Sequence, residues 1–281
     1  MTIQQALMQG RDLLAGASIA EPRINAEVLL LRAIRLEVPV DRAWLYAHGH
    51  EELRELWWIH YGRYLHQRMS GKPTQYITGV QEFYGRDFRV TPDVLIPRPE
   101  TEHLVERALA LSRAHGLTRI VDIGTGSGAI AASLSLELSL PLVASDLSPA
   151  AIAVAQSNAR QLGAEVTCVC GDLTSMLRSE SLDLLVTNPP YVPLRDQPTM
   201  QKEVRDHEPS LALFAGDDGL EVYSRLIPDA WRVLRTQGWL VMELGQGSRD
   251  AVGQMLRDWI AVETVNDLAG IPRVIAAKKP S

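Results

Sequence analysis

Cysteine is nearly absent: in 281 residues there are two, Cys168 and Cys170. On an alternating strand they fall on one face with parallel side chains, a geometry that disfavours a disulfide between them. A lone Cys-x-Cys without a second ligand pair is a poor metal site, so no metal is expected and both are read as small buried strand residues. An excess of basic charge is missing too. The 28 Lys and Arg are outnumbered by 34 Asp and Glu, for a net charge of −6. Proteins that grip long nucleic acid usually carry a basic excess, because phosphate neutralisation drives that binding. Nucleic acid therefore loses weight as the main substrate. No run approaches the roughly 20 apolar residues that span a bilayer. Residues 1–18 read as an amphipathic helix with Gln4, Gln5, Arg11 and Asp12, not as a charged start before an apolar run. A cytoplasmic chain with no membrane partner is expected, and a monomer. Internal repeats and low-complexity tracts are also lacking.

What is present divides into three segments. Residues 1–72 have apolar positions at helical spacing: Ala6, Leu7, Leu13 and Leu14, then Ala26, Leu29, Leu30, Ala33 and Ile34, then Leu53, Leu56, Trp57, Tyr64 and Leu65. Pro22 and Pro39 punctuate the run. A small helical bundle is predicted. Residues 73–97 interleave Tyr76, Ile77, Phe83, Tyr84, Phe88, Val90, Val94 and Ile96 with Gly79, Gly85, Pro92 and Asp93, which predicts a β-hairpin linker. Residues 98–281 alternate strands and helices. Strands are read at 119–123, 142–145, 165–170, 182–187, 239–243, 261–265 and 273–277. Helices are read at 129–138, 149–162, 220–234 and 248–259. That rhythm predicts an α/β fold with a mainly parallel, seven-stranded, Rossmann-like sheet wrapped by helices.

Two segments carry chemistry. The first predicted strand runs into Asp122-Ile123-Gly124-Thr125-Gly126-Ser127-Gly128-Ala129. Glycines let a backbone turn sharply and approach a ligand closely, and doubly wound folds bind ligands at the carboxyl ends of their strands. The next strand ends in Asp146, 22 residues after Gly124, a spacing that suits a ribose diol. Gly124, Gly126 and Ala129 also satisfy the dinucleotide pattern, so the loop alone leaves two cofactors open. Asp122 argues against the dinucleotide, because its charge would repel a pyrophosphate, whereas it could meet a cationic amino-acid end. Asp172, after the third strand, is placed to accept from an adenine amine.

The second segment is Asn188-Pro189-Pro190-Tyr191, directly after the strand 182–187. A planar NH2 has two in-plane protons and a poor lone pair. The Asn188 side-chain oxygen can accept one proton and the Pro189 carbonyl the other. Prolines add no competing donor and fix φ, and Tyr191 offers a flat face for stacking. Two acceptors also stabilise positive charge developing on the nitrogen. With this motif beside the glycine loop, S-adenosylmethionine is the expected cofactor. The expected chemistry is methyl transfer to a planar amide or amine nitrogen, achieved by positioning.

At this point the chain resembles the protein-glutamine N5-methyltransferases that modify class I peptide release factors, the PrmC/HemK family. The likeness covers residues 73–278. It is carried by Gln75 to Gly79, Phe83 to Phe88, Val94 to Glu102, Asp122 to Ile130, Asp146 to Pro149, Asn188 to Val192, Glu208 to Leu213, Gly219-Leu220, Glu243 to Gly245 and Asp267 to Val274. The Asn-Pro-Pro-Tyr box is shared with adenine and cytosine amino-methyltransferases; the boxes around Arg98 and Arg273 are more specific. The resemblance implies a substrate, the glutamine of the release factor's Gly-Gly-Gln motif, and a role in translation termination. It implies cofactor contacts for Gly124, Thr125, Gly126, Ser127, Gly128, Asp146, Asp172, Leu173 and Asn188. Asn188, Pro189, Pro190 and Tyr191 would hold the glutamine. Leu173 departs from the family's pattern, where an aromatic residue often stands, so apolar packing replaces stacking on adenine. The N-terminal helices would dock the release factor. Arg98 and Glu100 read as either a surface ion pair or a cofactor-side rim, Glu208-Pro209 as the base of a lid, and His103 and His207 as solvated or structural. Methylation of a nucleic-acid base and a cofactor-binding module without turnover stand as alternatives.

Overall fold

The apolar spacing of the N-terminal segment becomes helices at Ile3–Gly16, Pro22–Ile34, Arg42–Ala47 and Glu55–Met69 in the computed structural model, which describes residues 1–281. Thr2 and Gln5 close a capping box at the first helix, and Asp41 caps the third. The apolar faces of these helices share one core containing Ile3, Leu14, Leu29, Leu30, Ile34, Leu45 and Tyr61. This compact unit consists of Met1–Gly79 together with Gln201–His207, so seven residues return to it from the middle of the chain. Within the unit, Arg68 is 4% exposed. It donates to Glu203 at 2.5 Å, to Asn25 Oδ1 at 3.1 Å and to the Lys72 carbonyl at 3.3 Å. Burying a guanidinium is tolerable only with such pairing.

The hairpin is shorter than the linker predicted over residues 73–97. Its strands are β1 (Val80–Phe83) and β2 (Arg86–Arg89). Tyr84 and Gly85 connect them at φ 52° and 71°, the two positive values that a tight two-residue hairpin turn requires. Thr74–Thr78 is instead a helix. Gly79 ends it in the left-handed region, at φ 79°, and returns its N–H to the Gln75 carbonyl at 2.7 Å. Tyr76 and Ile77 resemble strand residues because they are apolar and bulky, but they bury on a helical turn.

The second unit, Val80–Met200 with Glu208–Ser281, contains the large sheet. Its strands are β3 (Ile120–Ile123), β4 (Leu142–Asp146), β5 (Val166–Cys170), β6 (Leu182–Thr187), β7 (Leu234–Glu243), β8 (Ile260–Asn266) and β9 (Pro272–Lys278). Their order is β5-β4-β3-β6-β7-β9-β8; the first five are parallel, and β9 runs antiparallel to both its neighbours, β7 and β8. Every residue of β3 and β6 is buried, which fits central parallel strands covered on both faces. Phe83 and Phe88 of the hairpin join the core on one face, alongside Leu104, Ile130 and Val241. Tyr223, Leu226, Ile227 and Leu240 fill the other. Asp183, the charged residue of β6, accepts from the Thr118 and Arg119 N–H groups and pairs with Arg119 and Arg235. Burial alone would raise its carboxyl, but these donors hold it below the usual range.

The cysteines depart from expectation. Both are free, and they lie on β5, the sheet edge, where Cys168 is half-buried and Cys170 exposed. An edge strand has one neighbour and cannot bury as a central one does.

Candidate active site

The chain visits β3, β4 and β5 on one side, then returns to β6 on the other side of β3. This reversal is a topological switch point, where open α/β sheets form a crevice at the strands' carboxyl ends. The two segments read from the sequence both start there. Ile123 and Thr187 are register partners, and the Thr187 hydroxyl donates to the Ile123 carbonyl at 2.7 Å. Gly124 and Asn188 therefore leave the sheet at the same level.

The three loop glycines are not equivalent. Gly124, Gly126 and Gly128 have φ of 71°, 54° and 81°. A Cβ on Gly128 would lie 3.1 Å from Ala155, so that glycine serves packing against the helix Pro149–Leu162. A Cβ on Gly124 or Gly126 would meet nothing within 4 Å. Asp146 secures the loop: its carboxylate accepts the Gly126 N–H and the Ser148 N–H, each at 2.9 Å. Thr125 and Ser127 are buried. The Thr125 hydroxyl donates to Asp122 Oδ2 at 2.6 Å, and the Ala131 N–H donates to the same oxygen. The other oxygen, Asp122 Oδ1, is buried without a partner. Burial raises this carboxyl to about 7 despite those hydrogen bonds.

On the other side of the switch point the support comes from side chains. Asn188 Nδ2 donates to Thr101 Oγ1 at 3.2 Å, and Thr101 Oγ1 donates to Glu243 Oε2 at 2.6 Å. The Tyr191 hydroxyl donates to Glu243 Oε1 at 3.1 Å. Glu243, the last residue of β7, is 2% exposed. Burial pushes its carboxyl up, against the hydrogen bonds of Thr101 and Tyr191 and the charge of Arg273. Burial also keeps the Tyr191 phenol protonated. Two glycines make room for Tyr191. A Cβ on Gly245 would lie 2.9 Å from its ring, and one on Gly219 would lie 2.4 Å from its carbonyl oxygen. Tyr223 braces the same corner, donating to the Glu243 carbonyl at 2.8 Å and accepting the Gly245 N–H at 3.2 Å.

Thr101, Glu243, Tyr223, Gly219 and Gly245 carry no individual signal in the sequence, although four of them lie in the boxes that carry the family resemblance. The available signal was position: a lone Glu and then a Gly at the carboxyl end of an apolar strand, level with the other strand ends. Other predicted residues find different partners. Asp172 is exposed and pairs with Arg225. Leu173 adopts φ 48° and packs beside the core under the sheet, with its carbonyl facing the Ser145 hydroxyl. Arg98 pairs with buried Glu208 at 2.5 Å, not with Glu100, and Glu208 also receives the Ile96 N–H. The pair therefore anchors the chain after residue 207 through a buried carboxylate. His103 faces Glu106, one turn along the helix Glu102–His115 that follows Thr101.

The fold and this pair of loops define a Rossmann-like methyltransferase. Residues 5–79 match the PrmC N-terminal domain family and residues 101–205 the methyltransferase small domain family. Solved structures agree on the fold: a Pyrococcus furiosus methyltransferase (14% identity, TM-score 0.51, 71% of this chain and 91% of that one), and a T. thermophilus 16S rRNA N2 methyltransferase in complex with AdoMet and guanosine (18%, TM-score 0.51, 71% and 49%). Among sequences, the release factor glutamine methyltransferase of Koribacter versatilis is 42% identical over 100% of both chains. Proteins of the same name from Nitratidesulfovibrio vulgaris (41%, covering 99% of this chain and 95% of that one) and Moorella thermoacetica (45%, 92% and 90%) are similar. The chain belongs to the release factor glutamine methyltransferase family, and it is an enzyme that uses S-adenosylmethionine.

The loop fits that cofactor. Gly124 and Gly126 leave space where side chains would stand, and the unpartnered Asp122 oxygen is an acceptor suited to a cation. No helix is long and apolar enough to cross a membrane, and no cluster of His, Cys, Asp or Glu could hold a metal ion.

Proposed function

We propose that this enzyme methylates the side-chain amide nitrogen, N5, of the glutamine in the Gly-Gly-Gln motif of class I peptide chain release factors, and so modulates translation termination. The observation that carries the reading is Asn188-Pro189-Pro190-Tyr191 leaving β6 level with the glycine loop, in a chain whose relatives of nearly equal length are named for release factors. S-adenosylmethionine, when bound, supplies a methyl group on a cationic sulfonium. Gly124, Gly126 and Asp146 would hold it, with Asp122 facing its ammonium end and Asp172 and Leu173 beside the adenine. Asn188 Oδ1 and the Pro189 carbonyl accept the two amide protons and turn the nitrogen toward the methyl. Tyr191, backed by Gly245, presents its ring to the planar group. Transfer of that methyl to nitrogen would leave the electron pair of the broken S–CH3 bond on the departing sulfur, and the amide nitrogen would give up one proton to solvent. The same acceptors stabilise the charge passing through the nitrogen.

In this reading residues 1–72 dock the release factor, residues 73–97 link, residues 98–281 catalyse, and a monomer suffices. Incubating the purified chain with methyl-labelled cofactor and a release factor tests it. Label should appear on the Gly-Gly-Gln glutamine. If a known active enzyme labels that glutamine and this chain does not, the proposal fails; comparable transfer to DNA or RNA would shift the substrate to a base.

A further inference from the structure

The side chain of Asn188 can serve a substrate amide only if its oxygen, and not its NH2, meets the incoming N–H. The two faces of a carboxamide have nearly the same shape, so packing alone does not choose between them. The choice must come from hydrogen bonding behind the residue. In this structure both oxygens of the Glu243 carboxylate accept, and neither donates. Glu243 takes a proton on each oxygen, from Thr101 and from Tyr191. The single Thr101 hydroxyl proton is then committed to Glu243, and the Thr101 oxygen can only accept in every other direction. Its remaining neighbour is Asn188, which must therefore turn its NH2 toward Thr101. The amide oxygen is left for the substrate. One buried carboxylate that accepts on both oxygens thus sets the direction of every proton in the line from Glu243 through Thr101 to Asn188.

We infer that Thr101 and Glu243 are positioning residues for methyl transfer, and that they fix the side-chain amide of Asn188 with its oxygen toward the substrate nitrogen. The inference rests on the glutamine reading above, because it assigns the roles of the Asn188 oxygen and NH2 from a substrate that offers two N–H groups. Tyr191 shares the device. Its hydroxyl is bound to the second oxygen of the same carboxylate, so one residue holds both the amide and the ring of the motif. The three segments involved are far apart in the chain: 87 residues separate Asn188 from Thr101, and 142 separate Thr101 from Glu243.

Two nearly isosteric changes test it. Glu243→Gln can donate an N–H to Thr101, which frees the Thr101 proton to point at Asn188 and stabilises the reversed amide. Thr101→Val deletes the connection at almost unchanged volume. In each, kcat for a release factor should fall by about 100-fold, the scale of losing one oriented partner at a reacting centre. KM for the release factor and cofactor affinity by calorimetry should stay within about threefold, a KM-against-kcat split that general misfolding would not give. Thr101→Ser keeps the hydroxyl and should recover most of the activity. A second readout does not involve turnover. The chain has four asparagines, so 15N-asparagine labelling gives few side-chain signals, and Asn188→Ala assigns the relevant pair. One proton of that pair should exchange slowly in the native enzyme and rapidly in Thr101→Val. Full kcat in both Thr101→Val and Glu243→Gln, or unaltered exchange of the Asn188 amide in Thr101→Val, overturns the inference. Wild-type enzyme that leaves the glutamine unlabelled would instead sink the substrate reading, so the two failures are distinct.

Discussion

The loop after β3 and the loop after β6 begin at one level of one sheet, yet they are held by different means. The glycine loop is held mainly through its backbone: the Gly126 N–H binds Asp146, the Thr125 N–H binds the Ser145 carbonyl, and its conformation depends on glycines at positive φ. The Asn-Pro-Pro-Tyr loop is built from side chains that converge from distant segments onto Glu243. The difference teaches how each half can be recognised. A backbone cradle announces itself in the sequence, because its glycines are contiguous even though Asp146 and Asn158 brace it from the next strand and helix. A motif held by a buried carboxylate depends on residues that no local reading connects to it.

The largest expected effect lies on the substrate side. Asn188→Ala should lower kcat by about 100-fold or more, while cofactor affinity measured by calorimetry changes little. The two loops have separate roles only if that split is seen. Asp122→Asn probes the cofactor side through pH. Burial raises this carboxyl in the folded state to about 7, above its ordinary 3.8. The folded chain therefore holds the proton more tightly than the unfolded chain. That contribution to stability is full below the ordinary value, is lost as pH rises, and levels off above about 7. Relative to Asp122→Asn, wild-type stability without cofactor should fall by about 2 kcal/mol between about pH 5 and 7, as followed by denaturant melts. A parallel pair of curves would show that the buried oxygen has another partner.

Asp146→Ala should weaken cofactor binding by about 20-fold, roughly the loss of a charge-assisted hydrogen bond, and leave kcat at saturation nearly intact. If Asn188→Ala and Asp146→Ala bind cofactor equally poorly, the division between the loops is wrong. The smallest effect sharpens it with one kind of substitution on each side. Gly245→Ala presses a methyl against the Tyr191 ring and should cut kcat by about fivefold with unchanged cofactor affinity. Gly126→Ala has free space but strained backbone at φ 54°, so it should instead cost about 1 kcal/mol of loop stability and appear as weaker cofactor binding.

The same contrast explains what was legible in the sequence. The helix Pro149–Leu162 and strand β6 fall where periodicity put them, because their burial patterns are regular. The glycine loop and Asn-Pro-Pro-Tyr stood out because each is contiguous. Thr74–Thr78 is a helix where its sequence suits a strand, since Tyr76 and Ile77 are strand-like and the deciding feature is the backbone of Gly79. Thr101 and Glu243 could be seen only as parts of larger boxes. Nothing local states that a threonine before one helix and a glutamate ending a later strand share a hydrogen bond. Arg98 illustrates the same limit: Glu100 was the near candidate for a partner, but Glu208 is the actual one.

The seven residues Gln201–His207 have a consequence for modularity. They follow the substrate motif in the chain, yet they fold with Met1–Gly79, where Glu203 neutralises buried Arg68. The N-terminal unit is therefore not a cassette that one cut releases. Replacing residues 1–79 with another helical unit would strand the Glu203 segment, and deleting that segment would strip a buried guanidinium of its counter-charge. Recombination that exchanges the helical unit has to rewrite the gene at two separate places, which ties the inheritance of that unit to that of residues 201–207.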